Sequence, residues 1–117
     1  MSVAQMLWHV NEAMEGALGR VVTEPVRVLL PRSMLKFFVL NAPWGKGAPT
    51  LKRWIPRSNS YDFASERDRC RRLVEELASK PLGDTWADSP NLGRMSGSEV
   101  SRLHAKHLNH HLTQFGV

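Results

Sequence analysis

The chain has a single cysteine, Cys70, among its 117 residues, so no disulfide can form within it. Its longest apolar runs, such as Phe37-Phe38-Val39-Leu40, are a few residues long. A membrane-crossing helix needs about 20, so none is expected. Met1-Ser2-Val3-Ala4-Gln5 has neither the basic segment nor the apolar core of a secretory signal. These absences predict a cytoplasmic protein. Internal repeats, low-complexity tracts and alternating strand patterns are also missing, as are a Cys-x-x-Cys pair and a Ser/His/Asp order. Gly45-Lys46-Gly47 lacks the spacing and the preceding strand of a phosphate loop.

What is present is a composition of 42% hydrophobic and 23% charged residues, that of one globular domain over residues 1–117. The net charge is +5, from 16 basic and 11 acidic residues. The basic residues are dispersed. Their densest group, Arg67, Arg69, Arg71 and Arg72, is interrupted by Asp68 and preceded by Glu66, which reads as a solvated helical face with local ion pairs. Neither nucleic acid nor membrane is expected as a partner. A nucleic-acid binder would instead bind with a steep salt dependence.

Four helical segments can be read. The first spans Ser2 to Leu18, with Ser2 as cap, Val3, Met6, Leu7, Val10, Met14 and Leu18 at helical spacing, and Gly19 at its end. Gly16 within it would let a neighbouring helix approach closely. The second is short, Arg32 to Leu40, opened by Pro31 and ended by the Pro/Gly-rich stretch 41–49. The third runs from Asp62 or Ser65 to Ser79, with Leu73, Val74, Leu77 and Ala78 as its apolar stripe and Pro81 as its stop. The fourth starts on Ser96-Gly97-Ser98-Glu99, a capping-box pattern, and draws apolar contacts from Val100, Leu103, Leu108, Leu112 and Phe115. Long loops join them, with Trp8, Trp44, Trp54 and Trp86 as core and loop anchors. The expected architecture is an all-α bundle of three longer helices and one short one.

Histidine carries the chemistry. Four of the five fall in the last helix: His104, His107, His110 and His111. Residues four apart share a helix face, so His107 and His111 project side by side as a pair of imidazoles for one metal ion. His104 lies one turn before them, His110 is rotated towards solvent, and Gln114 follows as an outer partner. His9 sits on the mostly apolar first helix. If it faces the pair, the three imidazoles form a site with open positions for water or substrate. A divalent ion there keeps its charge and lowers the pKa of a thiol or water it binds. Imidazoles alone do not separate Zn, Ni, Fe and Mn. Glu12, three residues after His9, is a candidate catalytic helper or extra ligand, against its plainer reading as a surface glutamate. Cys70, between Arg69 and Arg71, reads as packed and inert rather than as an activated thiol.

Lys106-His107-Leu108-Asn109-His110-His111-Leu112-Thr113-Gln114-Phe115-Gly116 resembles the last helix of the DinB-like superfamily, which includes the YfiT-type thiol transferases. Gln5-Met6-Leu7-Trp8-His9-Val10 resembles the segment that carries the first ligand in that superfamily. The stretches Phe37–Trp44, Gly47–Thr50 and Leu92–Ser96 look like an uncharacterised bacterial branch of it. The resemblance implies an up-down four-helix bundle and a divalent metal held by His9, His107 and His111. It also implies transfer of a low-molecular-weight thiol to an electrophile. Relatives of this type carry a further helix ahead of the first histidine, and Met1 begins almost at that histidine's helix. The expectation is therefore an N-terminally shortened bundle with the Met6/Val10/Met14 side exposed, unless the short second helix or a homodimer covers it. The competing reading is a non-enzymatic interaction or structural bundle in which the histidines are incidental.

Overall fold

The computed structural model describes residues 1–21, 24–45 and 54–116. It contains α1 (Val3–Ala17), α2 (Arg32–Asn41), α3 (Phe63–Ser79) and α4 (Gly97–Gln114), and no strand among the described residues. No described helix is long and apolar enough to cross a membrane. The expected all-α bundle is observed.

Three of the helices begin on side-chain caps. Ser2 accepts from the Gln5 amide (3.1 Å) while the Gln5 side chain accepts from the Ser2 amide (2.7 Å). Ser96 and Glu99 form the same reciprocal pair at 3.2 and 3.0 Å. Asp62 accepts from the Ser65 amide at 2.9 Å. α2 has no side-chain cap; Pro31 occupies its N-cap position rather than its first turn. α1 ends just before Gly19, whose φ of 76° suits glycine and closes the helix.

The core has two parts. Met6, Leu7, Val10 and Met14 of α1 meet Leu73 of α3, with Cys70, Leu77, Leu108 and Leu112 packed around them. The second part is built on Trp86, Leu92 and Met95 from the segment between α3 and α4, together with Val100. That connecting segment is thus part of the interior, although its proline and glycine content marks it only as loop.

Three expectations need correction. The Met6/Val10/Met14 side is not exposed: those residues are 1%, 1% and 0% accessible, because α3 lies along α1 and covers them. The expected stripe of α3 is displaced. Leu73 and Leu77 face inward with Cys70, while Val74 is 40% exposed. Phe115 likewise lies at the surface.

Polar contacts fix α2 against α4. Lys36 pairs with Glu99 at 3.0 Å. Arg102 donates to the Leu40 carbonyl (3.3 Å) and Asn41 Oδ1 (3.0 Å), and Lys106 donates to the Val39 carbonyl (2.8 Å) and to Ala42 O. Two cations of α4 therefore satisfy the last carbonyls of α2, the end at which positive charge is favoured. Their effect is to hold the following residues, including Trp44, beside the histidines of α4.

Candidate metal centre

α1 and α4 bring three imidazoles to one point. His9 Nε2 lies 2.9 Å from His107 Nε2, and His107 Nε2 lies 3.1 Å from His111 Nε2. One ligand atom from each residue falls within 4.8 Å of the others. The rings meet edge to face, with centroids 4.7–4.8 Å apart. His107 and His111 converge because they are one helical turn apart. His9 joins them because the apolar residues around it, Met6, Val10 and Ala13, seat α1 in the core with this face towards α4.

The other ring nitrogens are already engaged. His9 Nδ1–H donates to the Trp54 carbonyl at 2.8 Å. His111 Nδ1–H donates to Gln114 Oε1 at 3.0 Å. These bonds fix the tautomers, leaving lone pairs on both Nε2 atoms. Gln114 thus holds the place expected for it. Trp54 was legible only as an anchor, since the group that acts is a backbone carbonyl, which no side-chain pattern reports.

The three nitrogens fit a cation better than they fit one another. Two Nε2 lone pairs face His107 Nε2, and a single N–H there cannot be directed at both. Tetrahedral zinc, with Zn–N near 2.0–2.1 Å, would set ligand nitrogens about 3.3 Å apart. The His9–His107 and His107–His111 spacings of 2.9 and 3.1 Å are close to that, and the third pair lies within 4.8 Å. Three protein ligands are also the number that leaves a coordination position open.

Burial keeps these rings neutral. It pulls the His9 pKa below the ordinary imidazole value, against the opposing effect of the Trp54 carbonyl. Burial also holds His107 well below that range, and the neighbouring histidines push the same way. His111 is lowered by burial, partly offset by Gln114. Neutral imidazole is the form that binds metal.

The remaining candidates lie elsewhere. His104 is buried at 8% exposure, outside the trio, and burial lowers its pKa to about 4. His110 is half-buried rather than turned to solvent. Its ring meets Trp44 (5.5 Å) and His111 (5.1 Å), and it accepts from Gln114 Nε2 at 3.4 Å. Glu12 does not join the trio. Its carboxylate is held by Arg69 of α3, which also binds Glu66 at 3.0 Å and Glu15 at 3.7 Å. Cys70 is half-buried in the first core cluster, and burial raises its thiol pKa against the pull of Arg69. That is the environment of a packed thiol, not of an activated one.

A cavity of about 590 Å³ adjoins the trio. His9, His107 and His111 form part of its wall, along with Trp44, Trp54 and apolar residues of all helices except α3. The family model described as a protein of unknown function (DUF1569) matches residues 1–116. The chain belongs to that family. No curated protein and no solved structure matches the chain. Family membership therefore carries no assigned activity.

Proposed function

We propose that the chain binds one divalent metal ion through Nε2 of His9, His107 and His111. The observation that supports this most directly is the convergence of three Nε2 atoms, two of them on rings whose Nδ1–H is already held by an acceptor. We propose further that the domain is DinB-like and that its reaction is transfer of a low-molecular-weight thiol to an electrophile. A divalent ion on three neutral ligands supplies Lewis-acid chemistry at an open position, where it lowers the pKa of a thiol or water.

The chain's own residues would do the rest. Trp54 O and Gln114 Oε1 orient two ligands. Trp44, held by its Nε1–H bond to the Val39 carbonyl at 2.8 Å, walls the site beside His107. Glu12 is weakened as a helper by its pairing with Arg69.

The test is titration of a small thiol, 2-mercaptoethanol, into the cobalt-loaded chain. A thiolate-to-cobalt charge-transfer band that saturates at one equivalent is expected. A spectrum unchanged by thiol would remove the thiol-transfer reading while leaving metal binding standing.

A second reading, an interaction protein, draws on α2 and the residues before it. Met34, Phe37 and Phe38 are exposed at helical spacing on α2, and Leu30 just before the helix is exposed as well. A second copy of the chain is the partner to test. A monomeric mass by light scattering at tens of micromolar would count against it.

A further inference from the structure

The trio opens onto a cavity whose chemistry says what should sit in it. The cavity's volume, about 590 Å³, lies within the range of roughly 300–1,000 Å³ typical of sites for small organic ligands. Its wall is mostly apolar: Ala17, Val39, Leu92, Met95 and Leu103 are representative. Among the described lining residues, Arg27 and Asp88 are the sole full charges, and both side chains belong to exposed residues. A heavily charged molecule would find few partners within, and burying its charges unpaired would be costly.

Two further groups point to a ligand. His104, 8% exposed, also lines the cavity and adds an imidazole to its wall. Trp54, another lining residue, has a buried Nε1–H with no hydrogen-bond partner among the described residues. Polar side chains set in an otherwise apolar wall are where a ligand's own polar atoms would find partners.

We infer that the cavity binds an amphipathic organic molecule. Its apolar body lies against α1, α2, α4 and the segment before α4, and its electron-donating end meets the three imidazoles. The assignment of the donor end rests on the metal reading above; that of the apolar body does not.

The experiment separates the two. Zinc content is measured first. Acetohydroxamate and octanohydroxamate, which share a metal-binding head and differ by six methylenes, are then titrated by calorimetry into the zinc-loaded chain. The longer probe should bind ~100-fold tighter or more, given that each buried methylene strengthens binding about fourfold. Ala17→Phe, which fills the cavity, and Leu103→Glu, which charges its wall, should each abolish the gain. Zinc stoichiometry and helical content should stay unchanged. Equal affinity for the two probes, or a gain retained in both folded variants, would overturn the inference while the metal site stands. If zinc does not bind, octan-1-ol is titrated into the metal-free chain. Saturation at one site, lost in Ala17→Phe, would sustain the cavity inference without the metal; no binding would overturn it.

Discussion

Gly97 is the position where the least added matter should do the most damage. It opens α4 directly after the Ser96 cap, and the helix reaches the segment before it at backbone distance. A Cβ on Gly97 would lie 2.7 Å from Leu82 Cα, 2.7 Å from Trp86 Nε1, and closer still to the Leu82 carbonyl oxygen. Two of those atoms are backbone and the third belongs to a buried core indole, so none can swing away. Overpacking of this kind costs typically 1–3 kcal/mol, and the backbone contacts place it at the upper end. Alanine's better helix propensity returns at most about 1 kcal/mol. The net expectation for Gly97→Ala is a loss of about 2 kcal/mol, or a fall in Tm of roughly 8 °C for a domain of this size. Thermal unfolding followed by circular dichroism reads this directly. Gly83→Ala is the internal control: nothing lies within 4 Å of a Cβ there, and its φ is not positive. Gly83→Ala should leave Tm within about 2 °C, since exposed substitutions usually fall within ±0.5 kcal/mol. If Gly97→Ala were as stable as Gly83→Ala, the close approach of α4 to Leu82 and Trp86 would be wrong.

Met14→Ala, at a fully buried core position, should cost about 2–5 kcal/mol in urea unfolding, and a loss under 1 kcal/mol would contradict the packing of α1 on α3. Gln114→Leu should weaken metal binding by ~10–100-fold in a competition titration while helical content stays intact, because it frees His111 Nδ1; unchanged affinity would deny Gln114 its orienting role. Stability of the metal-free chain should fall as pH drops from 6.5 towards 4. His104 has its pKa lowered from the ordinary 6.5 to about 4 in the folded state, so the unfolded chain binds more protons across that window and acid favours it. The lowered His9, His107 and His111 act in the same direction. His104 alone accounts for roughly 3 kcal/mol by pH 4, and a urea midpoint independent of pH between 7 and 4.5 would refute its buried, neutral placement.

Much of this site could be read from residue spacing. His107 and His111 share a face by helical period alone. The Ser96/Glu99 and Ser2 caps were visible because capping is a local rule about adjacent residues. His9 was harder: its position between Trp8 and Val10 shows that it faces inward but not what it faces. The placement of α1 against α4, which decides that, is set by core packing over the whole chain. What could not be read was contact through backbone atoms. Trp54 O on His9, and the Val39 and Leu40 carbonyls bound by Lys106 and Arg102, carry no mark in the side-chain pattern. The stripe of α3 was misplaced for a related reason. Leu73, Val74, Leu77 and Ala78 span a wide apolar arc, and only contact with α1 shows that its Cys70 edge is the one buried. By sequence alone the Met6/Val10/Met14 face needs an added helix or a partner copy, because nothing in the residue pattern marks α3 as its cover.

Under the proposed function, three imidazoles on α1 and α4 hold one metal ion. Elemental analysis of the purified chain beside its His107→Ala variant tests it most directly. About one divalent ion per chain, lost in the variant while circular dichroism shows the helices intact, is the predicted result. No metal in the parent chain, even after incubation with Zn, Ni and Mn, would contradict it.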